Sequence, residues 1–184
     1  VWDDTNKTTT PKSISWKIDP KKITITASNQ TVTYGTAIDK STSKVSVATL
    51  VSGHNLSAIT LTQSTTNVPG GTISASGAKI LSGSTDVTGN YAITYAAGTL
   101  TINAKALSIP VSPNAKTYNG NSQGSGISCP QGSTVGGATS ATNQGTYTQT
   151  CTLNSTTNYV WDDTNKTTTP KSISWKIPHP VRRK

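Results

Sequence analysis

Residues 1–18 and residues 160–177 are one and the same string, VWDDTNKTTTPKSISWKI, eighteen identities at an offset of 159. Two copies of a segment cannot fill one slot in one closed body, so this duplication constrains the fold more than any composition figure. It predicts a window of a tandem array with a period of about 159 residues. Residues 1–18 then read as the closing hairpin of a preceding repeat, and 160–177 as the closing hairpin of the present one. With neither a starting Met nor a signal-like stretch ahead of the first copy, the chain is expected to be such a window. The first copy must belong to a preceding module, project unpaired, or pair with a neighbouring chain. Its pairing candidates are Val1, Trp2, Ile14, Trp16 and Ile18.

A weaker repeat lies inside the first. Lys21-Lys22-Ile23-Thr24-Ile25 leads to Thr33-Tyr34-Gly35, and at an offset of 84 Lys105-Ala106-Leu107-Ser108-Ile109 leads to Thr117-Tyr118-Asn119-Gly120. Downstream, Gly89-Asn90-Tyr91 answers to Gly145-Thr146-Tyr147. Each half closes on a period-two strand, Thr99–Ile102 in one and Ser172–Ile177 in the other. The expected organisation is a module at 19–104, a second at 105–177, and a basic tail at 178–184.

Alternation makes the strands. Ile23 and Ile25 share one face and Thr24 and Thr26 the other; Leu100 and Ile102 follow the same rule, as do Ile14, Trp16 and Ile18 with their copies Ile173, Trp175 and Ile177. Ser and Thr supply about a third of the chain, and Glu and Met are absent. A helical bundle is therefore excluded, and no apolar run reaches the roughly 20 residues that a membrane-spanning helix needs. One short helical turn is expected near Ser52–Ile59. In the 160–177 copy, Tyr159-Val160-Trp161 and Lys171–Ile177 are expected as hairpin arms around a polar Asp162–Thr169 loop. The fold class is all-β: two small tandem β-sandwich (Ig-like) or β-grasp-like modules in an elongated array.

The set Lys22-Ile23-Thr24-Ile25-Thr26-Ala27, Val32-Thr33-Tyr34-Gly35, Leu50-Val51-Ser52-Gly53 and Gly89–Ile102 resembles the MBG (YGX-type) repeat domain of large bacterial surface adhesins. The likeness covers roughly 20–103. The second module, with Thr117-Tyr118-Asn119-Gly120 and Gly145-Thr146-Tyr147, is similar to the Ig-like companion repeats. The resemblance implies an extracellular, modular β-protein that extends an adhesin from a cell surface. It offers no catalytic residues.

Reactive side chains are few. Cys129 and Cys151 are the only cysteines, an even pair in a secreted-looking chain, and are expected to form a disulfide. His54 and His179 read as solvated side chains without triad partners. Asp3-Asp4-Thr5-Asn6 and its copy Asp162-Asp163-Thr164-Asn165 offer oxygen ligands, but the following lysine turns the reading toward a capped polar loop and away from a metal site. The four Trp arise from one duplicated segment. Trp16 and Trp175 share a face with Ile and are expected in cores, whereas Trp2 and Trp161 are candidate glycan contacts. A Lys–Asn isopeptide bond is disfavoured beside the disulfide.

Net charge is +9, with lysines dispersed rather than clustered. Anionic glycans and cell-wall polymers are the expected polyanionic partners; nucleic acid is not. The expectation is a non-catalytic spacer or adhesive scaffold of a cell-surface stalk or filament, needing no cofactor, with neighbouring repeats or identical chains as end-to-end partners. A lectin-like module that binds glycans is the alternative.

Overall fold

The computed structural model describes residues 13–178 together with Thr5, Thr9 and Pro11. Among the described residues the chain is all-β. The strands of the first half are β1 (Lys21–Ala27), β2 (Gln30–Thr33), β3 (Val45–Val47), β4 (His54–Gln63), β5 (Gly70–Ser82), β6 (Thr85–Asp86), β7 (Tyr91–Ala96) and β8 (Gly98–Asn103). Those of the second half are β9 (Lys105–Leu107), β10 (Gln123–Gly124), β11 (Ser133–Gly137), β12 (Ser140–Ala141), β13 (Gly145–Leu153), β14 (Tyr159–Trp161) and β15 (Lys171–Ile177).

The period-two pattern places the core. In β1, Ile23, Ile25 and Ala27 are buried while Lys22 and Thr24 face out; in β8, Leu100 and Ile102 are buried between exposed threonines. The first half carries one sheet of order β3-β1-β7 and a second of order β2-β8-β5-β4, with β6 pairing β5. Ala27 of β1 meets Leu61, Ile73, Leu100 and Ile102 of the larger sheet, and Ile23 and Ile25 meet Ile80 and Tyr91. The second half carries the sheet β11-β13-β15, the pair β14-β9 and the short pair β10-β12. Its core joins Leu107, Cys151, Leu153, Trp161 and Ile173. Every described strand pairing lies within 21–103 or within 105–177.

One arrangement occurs in both halves. The first strand of each half pairs in parallel with a strand that opens on a Tyr preceded by Asn: β1 with β7, from Lys21 opposite Tyr91, and β9 with β14, from Lys105 opposite Tyr159. The chain then switches sheets to its closing strand, β8 or β15, which lies antiparallel to β5 or β13. In the first half the switch takes one residue, Ala97, and Gly98 makes it feasible, because a Cβ there would sit 2.4 Å from the Ala27 carbonyl oxygen. In the second half it takes the loop 162–170.

Three expectations change. Residues 160–177 are not a hairpin: β14 pairs with β9 and β15 with β13, so the two arms belong to different sheets. The counterpart of Asn90-Tyr91 is Asn158-Tyr159 and not Thr146-Tyr147, which lies on the strand that flanks the closing one. The turn at Ser52-Gly53 leads directly into β4 and carries no helix, since Leu56 and Ile59 pack on the core beside β5.

Candidate functional site

The duplicated segment is the feature most able to act on another molecule, because its two copies are in opposite states. In β15, Ile173, Trp175 and Ile177 are 5%, 2% and 0% exposed. Antiparallel pairing sets Ile173 opposite Gln149, Trp175 opposite Tyr147 and Ile177 opposite Gly145 of β13. The Trp175 indole Nε1 donates to the Ala138 carbonyl at 2.8 Å, and its ring lies 4.9 Å from that of Tyr147. On its other side β15 receives a bond from Lys116, whose N–H donates to the Lys176 carbonyl at 3.0 Å.

The first copy has none of this. Ile14, Trp16 and Ile18 are 87%, 81% and 78% exposed, and residues 13–20 form no strand. The expectation that Trp16 packs in a core is therefore met only by its copy Trp175. Alternation alone cannot bury a strand; a neighbouring strand and an opposing sheet must be present. Val1 and Trp2 lie outside the described residues, as do His179 and the tail from 179 onward.

The loop between β14 and β15 is fixed by its own oxygens. Asp163 Oδ1 accepts from the Thr167 N–H at 2.8 Å, Asp163 Oδ2 accepts from Lys171 Nζ at 2.8 Å, and the Thr167 hydroxyl donates to the same carboxylate. These donors, Lys171 foremost and then Thr167, hold the Asp163 carboxyl well below the usual carboxylate range. Asp162 pairs with Lys166. With both carboxylates engaged by lysines, the loop has the chemistry of a capped turn, as its sequence suggests.

Trp161 is not a surface platform. It is fully buried, its Nε1 donates to the Thr169 carbonyl at 2.8 Å, and its backbone N–H donates to the Thr167 carbonyl at 2.8 Å. A sugar cannot stack on it. The loop folds back over the indole, a consequence of the sheet switch that a hairpin reading does not anticipate.

Cys129 and Cys151 form a disulfide with their Cα atoms 5.6 Å apart, as expected. Beside it sits a buried polar pair that sequence reasoning missed: the Ser125 hydroxyl donates to Gln149 Oε1, and Gln149 Nε2 donates to the Ile127 carbonyl at 3.2 Å. The signal was present, since Gln149 stands two residues before Cys151 on the inward face of β13. Elsewhere, His54 is half-buried rather than solvated, its Nδ1 lying 2.7 Å from the Tyr91 hydroxyl. Asp39 and Asp86 cap turns at Ser41 and Thr88, whose donors lower both carboxyl pKa values.

Two joints frame the halves. Between β8 and β9 stands Ala104 alone. Across this joint Tyr34 meets Tyr159 edge to face at 5.2 Å, the Val68 N–H donates to Asn158 Oδ1 at 3.0 Å, and Asn158 Nδ2 donates to Asn67 Oδ1 at 3.0 Å. Ahead of β1, a shallow groove is lined by Ile18, Asp19, Pro20, Gly89 and Asn90. At the far end of the second half, another is lined by Gln144, Gly145, Thr146, Lys176, Ile177 and Pro178. No family model matches the chain, and no curated protein or solved structure matches it either.

Proposed function

We propose that the chain is a structural segment of a tandem-repeat extracellular protein, a spacer and adhesive scaffold in a cell-surface stalk or filament. The observation that carries this reading is the closing segment present twice, a strand buried in the core at 171–177 and an exposed, unpaired stretch at 13–18. A second copy of a closing segment, with the same apolar face and no sheet beside it, is what a tandem array of such repeats supplies. The halves at 21–103 and 105–177 are, in this reading, two small related β-sandwich modules, and the recurring parallel Asn-Tyr strand and closing strand support their kinship. The resemblance of 20–103 to MBG repeats belongs to the same proposal, as does the Ig-like character of 105–177.

An outside location is supported by the disulfide, because such bonds persist in oxidising compartments. The mechanism is mechanical. A one-residue linker and the Asn158 and Tyr159 contacts fix one module against the next, so that length is added with each repeat. Small-angle scattering on this chain, and on the same chain preceded by a further copy of residues 1–159, tests the reading. The maximum dimension should roughly double. A two-copy chain that scatters as one rounded body overturns it.

A further inference from the structure

We infer that residues 13–18 are the edge strand of a second copy of the 105–177 half, seated beside that copy's β13 in the place its own β15 would take. The inference deepens the array reading and rests on it, by naming the partner, the strand and the register. It departs from the hairpin expectation, because the docking unit is a single strand.

The register follows from identity. Subtracting 159 from each β15 residue sets Ile14 opposite the partner copy's Gln149, Trp16 opposite its Tyr147 and Ile18 opposite its Gly145. Trp16 Nε1 then donates to that copy's Ala138 carbonyl, as Trp175 does here, and the Lys17 carbonyl accepts from its Lys116 N–H as the Lys176 carbonyl does. Ser13, Ser15 and Lys17 face solvent or the rim, so no charge is buried. The slot needs no adjustment, since it already holds the same residues.

Seating the strand also builds a contact between modules. Ile18 lines the groove with Asp19, Pro20, Gly89 and Asn90, and its copy Ile177 lines one with Gln144, Gly145 and Thr146. When Ile18 occupies the Ile177 position, the two grooves share one lining residue. The partner copy's Gln144–Thr146 segment and the Gly89-Asn90 pair then both border the same isoleucine. Only Asp19 and Pro20 separate the docked strand from β1, and proline narrows the backbone freedom of that link.

The test uses thiol labelling of the full chain, alone and preceded by a further copy of residues 1–159, with one cysteine introduced only in the last copy. Ile14→Cys should label rapidly in the single chain and about 100-fold more slowly in the two-copy chain, where labelling waits on local opening. Ser15→Cys, on the outer face, should label rapidly in both. Rapid labelling of Ile14→Cys in the two-copy chain overturns the inference, and so does slow labelling in the single chain. Equal slowing at Ile14→Cys and Ser15→Cys overturns the register. The array reading fails separately, by a compact scattering profile, whatever the labelling shows.

Discussion

Asn158 holds the two halves of the chain together from one side chain: its Oδ1 accepts the Val68 N–H and its Nδ2 donates to Asn67 Oδ1, both at 3.0 Å. Its own carbonyl accepts from the Lys105 N–H at 2.9 Å, so the residue just before β14 also anchors the start of β9. A short linker limits how far two bodies can separate, but directional bonds decide which orientation they keep.

Asn158→Ala should therefore loosen the joint at a cost of about 1–2 kcal/mol, the net worth of two hydrogen bonds. Calorimetry of the wild-type chain should give one coupled transition, which the substitution splits into two. An unchanged thermogram would show that Tyr34 and Tyr159 hold the joint without it.

Trp161→Ala removes a fully buried indole and the bond from its Nε1 to Thr169. The expected loss is about 3–5 kcal/mol of stability, mostly cavity cost. Denaturant unfolding measures it; a loss below about 1 kcal/mol would contradict the buried position.

The Cys129–Cys151 bridge spans 22 residues. Closing a loop of that size should contribute about 3 kcal/mol, so a Cys129→Ala/Cys151→Ala variant should melt more than about 10 °C lower in the second half. The first half, which contains no cysteine, should then melt after it, so that the single wild-type transition separates into an earlier and a later one.

The lowered carboxyl pKa of Asp163 makes stability depend on acid. Because the folded value lies below the unfolded one, the ionised carboxylate contributes in full above about pH 4. That contribution falls away as pH drops through the folded value. Asp163→Asn should be less stable than wild type at pH 7 and should show a flatter loss between pH 5 and 2 in urea titrations. Parallel curves for the two proteins would rule out the Lys171 and Thr167 donors as the cause.

Gly98→Ala places a methyl group 2.4 Å from a backbone oxygen of Ala27, where neither atom can swing aside. Overpacking of this kind costs about 1–3 kcal/mol. Gly89→Ala, with open space around it, is the matched control and should be nearly neutral. Chemical denaturation of the pair reads the difference directly.

Much of this was legible residue by residue. Ile23, Ile25, Leu100 and Ile102 announced their buried faces through alternation, and Cys129 with Cys151 announced a bridge through number and setting. The burial of Trp161 is not legible in the sequence, because two short strands around a polar loop read as a hairpin while their partners lie in different sheets. The role of Asn158 is hidden in the sequence, because a lone Asn between Thr and Tyr looks like any turn residue and its partners, Asn67 and Val68, stand some 90 positions away.

The amino-acid string by itself determined the all-β class, the inward and outward residues of β1, β8 and β15, and the identity of the 1–18 and 160–177 segments. Those properties are local, set by side-chain polarity and a two-residue period, and identity between two segments needs no coordinates to be seen. Only the tertiary structure decided which sheet each strand joins, that Trp161 is covered while Trp16 is bare, and where the halves touch. Strand pairing and burial depend on partners far along the chain, and one sequence takes opposite states according to whether a β13 lies beside it.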